Sequence, residues 1–122
     1  MSLEIVCENE GVVRYFSKTL TAEDIRSSVE MGHADARFSA LRYSVNDFLA
    51  VTEVDVSKAT MANAALQRFA DGKFNDRVFV AIVAKAPEVI ALADFYSSPS
   101  SMPYPVKICN TLDQARQWIA SR

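Results

Sequence analysis

The chain has 122 residues, of which 50% are hydrophobic and 23% are charged, a composition typical of one ordinary folded domain. Thirteen basic and fifteen acidic side chains give a net charge of −2, which argues against a basic face for nucleic acid. The 3 glycines, 2 cysteines and single histidine are too few for a glycine-rich phosphate loop. They also exclude, within one chain, zinc sites built from four cysteines, two cysteines with two histidines, or a histidine pair.

The ends and the apolar runs of the chain bear on its location. The first residues lack the basic segment and apolar stretch of a signal peptide. The longest wholly apolar run, Val78–Ala84, is far shorter than the roughly 20 residues that span a bilayer. We therefore expect a cytoplasmic protein without a membrane span. The sequence predicts no catalytic residue, no cofactor and no metal, since its carboxylates do not have a metal-like spacing.

Two strands and a helix are predicted at the amino-terminal end. Leu3–Glu8 and Val12–Leu20 are rich in β-branched, aromatic and other apolar residues, and the Asn-Glu-Gly sequence at 9–11 favours a turn between them. These segments predict an antiparallel hairpin. Thr21 has the position of a helix N-cap, because Asp24 follows three residues later. A first helix should therefore begin directly after the hairpin.

The middle of the chain predicts a strand, a loop, a helix and a buried strand. Leu41–Phe48 alternates loosely and ends in polar residues, so we expect a strand followed by a loop over Leu49–Val56. Ser57–Ala70 places its apolar side chains on one face of a helix. Val78–Ala84 has no polar alternation, which is typical of a central strand covered on both faces.

The remaining residues predict two helices and a short strand. Pro87–Tyr96 begins with proline at the first helical position, and the serine- and proline-rich stretch Ser97–Pro105 predicts a loop. Val106–Cys109 is a short last strand, and Thr111–Gln114 has the pattern of a capping box that starts a terminal helix.

The element order is therefore β β α β α β α β α, which predicts a single α/β domain over residues 1–122. Because helices connect the later strands, right-handed crossovers should make those strands parallel. The hairpin should add an antiparallel strand at one side. We thus expect a mixed sheet of about five strands with helices packed on both faces.

One candidate site lies after the strand Leu41–Phe48. Asp47, Asp55 and Ser57 belong to a polar cluster at the carboxyl end of this strand, where parallel sheets place ligands. A phosphate on Ser57 would be stabilised at the positive end of the helix dipole. The alternative is that Asp55 or Ser57 is only the helix N-cap, and spacing alone favours that alternative.

Two further hypotheses concern other parts of the chain. Phe95 and Tyr96, next to the loop Ser97–Pro105, could line a pocket for a small apolar ligand or lipid, or could merely cover the sheet. The hairpin edge Leu3–Glu8 could pair with a second copy of the chain, which would make a homodimer.

Two parts of the sequence resemble a known family. Arg77–Ala84 together with Val89–Phe95, and the ending Val106–Ile119, are similar to the SpoIIAA-like family, whose members are related to the STAS domain of anti-sigma-factor antagonists. The ending resembles that family's closing strand and its terminal helix with the order acidic residue, alanine, arginine, aromatic residue. The resemblance implies a SpoIIAA/STAS-like fold and a bacterial, non-catalytic binding or regulatory module.

The resemblance also bears on the candidate site. In the antagonists, a strand-ending aspartate leads to Asp-Ser-Ser-Gly at a helix start, and the second serine accepts a phosphate. Here Asp47 matches the strand-ending aspartate, Asp55 the motif's aspartate and Ser57 the acceptor, whereas Val56 replaces the first serine and Lys58 the glycine. The resemblance thus implies that residues 47–58 engage a protein partner or a small anion.

Overall fold

The computed structural model describes residues 3–27, 41–57, 78–96 and 105–122, apart from the side chains at 95 and 96. Five strands lie in these ranges: β1 (Leu3–Cys7), β2 (Gly11–Thr21), β3 (Tyr43–Asp55), β4 (Phe79–Val83) and β5 (Val106–Cys109). The helices are α1 (described over 22–27), α2 (Pro87–Tyr96) and α3 (Leu112–Ala120). The predicted helix over 57–70, apart from its first residue, and the loop over 97–104 lie outside the described residues.

The five strands form one mixed sheet in the order β1-β2-β3-β4-β5. β1 is antiparallel to β2, and the β2–β3, β3–β4 and β4–β5 pairs are parallel. The predicted hairpin, the parallel arrangement of the later strands and the fold class are thus confirmed. The sheet is antiparallel only at the hairpin because the later strands are joined by crossover connections rather than tight turns.

The predicted loop over 49–56 is wrong, since β3 continues as a strand to Asp55. The long strand β2 supplies a partner along the whole length, so that Thr21 pairs with Asp55. Two register shifts accommodate extra residues of β3 against β2. The first shift is a β-bulge, and there the Leu49 amide donates to the Asp47 carboxylate at 2.8 Å. This bond gives the amide a partner where the bulge interrupts the backbone hydrogen bonds between the strands.

Helices pack on both faces of the sheet. On one face, α3 places Ala115 and Trp118 against β-strand side chains that include Val45 and Val83. On the other face, Val89 of α2 packs in a cluster with β1, β2 and β3. β4 is covered on both faces, as its uninterrupted apolar sequence predicts. The start of α3 is also as expected, because the Gln114 amide donates to the Thr111 hydroxyl at 3.1 Å.

Gly11 is the first residue of β2, and its backbone does not have a positive φ. A β-carbon at this position would lie 2.3 Å from the Cε1 atom of Tyr43, far inside van der Waals contact. Glycine is therefore needed for the close approach of the Tyr43 ring, not for an unusual turn conformation. The hairpin itself closes through the Glu8 amide, which donates to the Gly11 carbonyl at 2.8 Å.

Candidate functional site

The carboxyl end of the β2–β3 pair holds two of the residues predicted from sequence. Asp55 is the last residue of β3 and lies opposite Thr21, the last residue of β2. Ser57 follows two residues later, and both Asp55 and Ser57 are exposed. The structure thus brings Asp55 and Ser57 to one exposed end of the sheet, beside the start of α1. Lys58 lies outside the described residues.

The start of α1 is fixed beside this end by reciprocal hydrogen bonds. The Asp24 amide donates to the Thr21 hydroxyl, and the Thr21 amide donates to the Asp24 carboxylate, each at 3.2 Å. This is the capping arrangement that the Thr21–Asp24 spacing predicts. Because Thr21 is also paired with Asp55, the cap holds the end of β2, and through it the end of β3, in a defined position.

Acidic side chains predominate at this end. Glu53 and Asp55 are exposed on β3, and Glu23 and Asp24 lie in the first turn of α1. Glu53 accepts a hydrogen bond from the Thr19 hydroxyl at 3.3 Å, and Glu23 forms an exposed ion pair with Arg26. Exposed ion pairs of this kind contribute little to stability. These four carboxylates outnumber the two described cations of this end, Lys18 and Arg26, so the described surface here carries a net negative charge.

Asp47 does not belong to this end of the sheet. It lies within β3, is buried, and accepts the Leu49 amide at the first register shift. Asp55 lies eight residues further along the strand, which at about 3.3 Å per residue is at most roughly 26 Å away. Asp47 therefore has a structural position that the sequence did not indicate, and the structure does not bring it together with Asp55 and Ser57.

The proposed apolar pocket cannot be assembled from the described residues. Phe95 and Tyr96 are the last two residues of α2, and their side chains and the loop over 97–104 lie outside the described part of the chain. Among the described helices, none is long and apolar enough to cross a membrane. Within the described ranges, no group of three or more histidine, cysteine, aspartate or glutamate side chains could hold a metal ion.

A polar cluster that sequence reasoning missed lies at the opposite end of the sheet. Arg116 of α3 donates to both carboxylate oxygens of Glu8, each at 2.7 Å, and the Tyr43 hydroxyl donates to the same carboxylate. Glu8 and Arg116 are 108 positions apart, so no local pattern could pair them. The only signal is that Arg116 is the arginine of the terminal-helix pattern that resembles the SpoIIAA-like family.

The protonation states of this cluster are fixed by its contacts. The Arg116 and Tyr43 hydrogen bonds lower the pKa of Glu8 from 4.5 to about 2. Burial and the neighbouring Glu8 carboxylate raise the pKa of Tyr43, and the bond to Glu8 raises the pKa of Arg116. All three groups keep their ordinary charge at neutral pH. The cluster is therefore a link between the hairpin, β3 and α3.

The described part of the molecule is a mixed five-stranded sheet with helices on both faces, and this architecture defines a class of small α/β domains. The anti-sigma factor antagonist SpoIIAA in its unphosphorylated form has a TM-score of 0.66 and 12% identity, with 98% of this chain and 99% of that chain covered. The Bacillus cell fate determinant SpoIIAA in its phosphorylated form has a TM-score of 0.64 and 11% identity, with 96% of this chain and 98% of that chain covered.

A third solved structure, the proposed anti-sigma factor antagonist from Thermotoga maritima, has a TM-score of 0.63 and 16% identity, covering 97% of this chain and 94% of that chain. The fold is therefore SpoIIAA-like, as the resemblance of the sequence implied. No family model and no curated protein matches the sequence. At these identities the likeness establishes the fold, and function has to be argued from the site.

Proposed function

We propose that this chain is a non-catalytic regulatory module that binds a protein partner through the carboxyl end of the β2–β3 pair, with Ser57 as a phosphate acceptor. The proposal is carried by one observation: an exposed serine lies two residues beyond the end of β3. It is supported by the likeness, along nearly the whole chain, to an antagonist solved in unphosphorylated and phosphorylated forms. This function fits a cytoplasmic location and one domain over residues 1–122.

Charge determines how a phosphate would act at this position. A phosphoserine adds about −1.5 to −2 charges at neutral pH. The described neighbours Glu53 and Asp55 are already acidic and exposed, so the added charge makes this surface more negative. If a partner packs closely on the unmodified surface, binding the phosphorylated protein would remove water from a phosphate that lies beside carboxylates. This desolvation is unfavourable, so phosphorylation weakens binding.

The same charges favour a protein partner over a small anion. A free anion would meet Glu53, Asp55 and the acidic first turn of α1, and like charges raise the free energy of binding. A protein can instead contact Ser57 and place basic groups against the carboxylates at the edge of the interface. We therefore assign a protein as the partner.

Three described groups with shifted pKa values are poorly placed for acid–base catalysis. The pKa of Glu8 is lowered, and the pKa values of Tyr43 and Cys109 are raised, in the case of Cys109 mainly by burial. Each of these shifts moves the group away from neutrality. General acid–base catalysis requires a pKa near the working pH, so none of these groups is suited to it.

The test is phosphorylation by a bacterial extract with ATP, followed by the intact mass of the full chain. We expect wild-type protein to gain the mass of one phosphate and Ser57→Ala to gain none. Thr52→Ala is the matched control, because Thr52 is a second exposed hydroxyl on β3 that is not the proposed acceptor, and this variant should be modified like the wild type. A chain that stays unmodified, or a Ser57→Ala variant that is modified equally, would contradict the proposal.

A further inference from the structure

The two edges of the sheet differ in how they are protected against pairing. β5 has four residues, follows Pro105 and carries the exposed Lys107 near its middle, and short strands, proline and lysine are the usual means of blocking an edge. β1 has five residues with no proline or lysine, and its pairing with β2 shows no register shift. Within the described part of the chain, β1 pairs with β2 alone.

The direction of the backbone groups of β1 follows from the hairpin. The Glu8 amide donates to the Gly11 carbonyl, so Glu8 and Gly11 form a hydrogen-bonded pair. Antiparallel ladders alternate, and the register therefore makes Val6 and Glu4 the next residues that bond inward to β2. The backbone N–H and C=O groups of Leu3 and Ile5 consequently point to the outer edge, where another strand can bond to them.

We propose that β1 pairs with β1 of a second copy, antiparallel, with the twofold axis at Ile5. In this register Ile5 exchanges two hydrogen bonds with the partner's Ile5, and Leu3 lies opposite the partner's Cys7. Glu4 lies opposite the partner's Val6. The two sheets then join into one continuous sheet through backbone bonds.

Charge selects this register over its neighbours. A twofold axis at Glu4 would place that carboxylate directly opposite the partner's Glu4. An axis at Val6 would place Glu4 opposite the partner's Glu8. Like charges directly opposite each other destabilise a strand pair, and both shifts also shorten the ladder. Only the axis at Ile5 keeps Glu4 opposite an uncharged side chain. This inference does not depend on the function proposed for Ser57, because β1 and β3 are separated by β2.

Val6 permits a test in which two variants of the same position have opposite effects. Its side chain is 38% exposed, so a charged residue can replace it without entering the core. Val6→Lys places a positive charge opposite the partner's Glu4 twice per dimer, and Val6→Glu places a negative charge there. Cross-strand charge pairs of this kind change the dimer dissociation constant by about 2- to 30-fold in total.

The measurement is sedimentation velocity of the full chain over a concentration series at low salt, with circular dichroism to show that each variant is folded. We expect wild-type dimers, tighter dimers for Val6→Lys and weaker dimers for Val6→Glu. Adding Glu4→Lys to Val6→Glu should restore the dimer, because each new carboxylate at position 6 then lies opposite a positive charge at position 4 of the partner.

Two outcomes would overturn the proposal. A wild-type chain that remains monomeric at several hundred micromolar has no such edge pairing. Equal weakening by Val6→Lys and Val6→Glu would mean that apolar contact at Val6, and not the register at Ile5, holds the copies together. Amide hydrogen exchange gives an independent readout, because the Ile5 amide should become protected as concentration rises while the inward Val6 amide should not change.

Discussion

The two ends of the β2–β3 pair are built in different ways. At the amino end, Glu8 joins the hairpin to Tyr43 on β3 and to Arg116 on α3, and the Tyr43 ring lies directly over Gly11. At the carboxyl end, β2 extends beyond its pairing with β1, which stops at Phe16. Likewise β3 extends beyond its pairing with β4, which stops at Asp47. There Glu53, Asp55 and Ser57 are exposed, and no described ion pair joins this end to α3.

The difference separates the end of the strand pair that stabilises the fold from the end where we propose that a partner binds. Packed and ion-paired residues connect three elements at the amino end, so a change there disturbs the fold. At the carboxyl end an exposed side chain such as Ser57 can change its charge without breaking a described core contact. Local stability is lower at the carboxyl end, because only two strands pair there. A change of charge at that end, such as the proposed phosphorylation of Ser57, therefore disturbs the fold less.

The largest effect is expected from Gly11→Ala at the amino end. The new β-carbon overlaps the Tyr43 ring, which is held in place by its bond to Glu8, so we expect a loss of about 2–3 kcal/mol of unfolding free energy. Urea denaturation measures it. In a Tyr43→Ala background the overlap disappears, and the same substitution should cost much less. An equal cost in both backgrounds would show that the ring contact is not the cause.

Glu8→Gln tests the ion pair and should have the next largest effect, about 1–2 kcal/mol at pH 7 after allowance for partial exposure. The pKa of Glu8 is lower in the folded state, about 2, than its ordinary value of 4.5. Its stabilising contribution is therefore present above about pH 4.5 and is lost as the pH falls toward about 2. The difference between wild type and variant should shrink over that range.

The matched control for this ion pair is Glu10→Gln. Glu10 pairs with Arg42 at 3.0 Å, but both side chains are more than half exposed. Exposed pairs contribute about 0–1 kcal/mol, so the unfolding free energy of this variant at pH 7 should lie close to that of the wild type. If Glu10→Gln and Glu8→Gln lower the unfolding free energy equally, the Glu8–Arg116 pair stabilises the fold no more than an exposed pair does.

A smaller, stabilising effect is expected at Lys18, where the carboxyl half of the pair begins. Lys18 has φ 59°, a left-handed conformation that is unfavourable for a side chain with a β-carbon. Lys18→Gly should therefore raise the unfolding free energy by about 0.5–1 kcal/mol, as thermal and urea denaturation would measure. Thr19→Gly, at a position without positive φ, should lower it by a similar amount. A lower unfolding free energy for both variants would show that the backbone at Lys18 is not strained.

Local sequence patterns predicted much of the fold. The uninterrupted apolar run of β4 and the cap at Thr111 depend on neighbouring residues only, and both are confirmed. The length of β3 could not be predicted, because the polar residues near Asp47 are typical of a strand end. They are accommodated only because β2 is equally long and because the Asp47 carboxylate accepts the Leu49 amide.

The candidate site was predictable only where it depends on residues that are close in sequence. Asp55 and Ser57 are close in sequence, and they lie at one end of the sheet. The grouping with Asp47 depended on the predicted loop over 49–56, and the extended strand separates Asp47 from Asp55 and Ser57 instead. The Glu8–Arg116 pair depends on the packing of the last helix against the first hairpin, which no pattern within either segment specifies.

Native-state hydrogen exchange of the full chain compares the two ends of the β2–β3 pair in a single measurement. We expect the ladder amides within 12–16 and 43–47 to exchange only through global unfolding, with free energies equal to that from denaturation. The ladder amides within 17–21 and 50–55 should exchange through local opening at clearly lower free energies. Equal free energies at both ends, or a more stable carboxyl end, would contradict the division of roles between them.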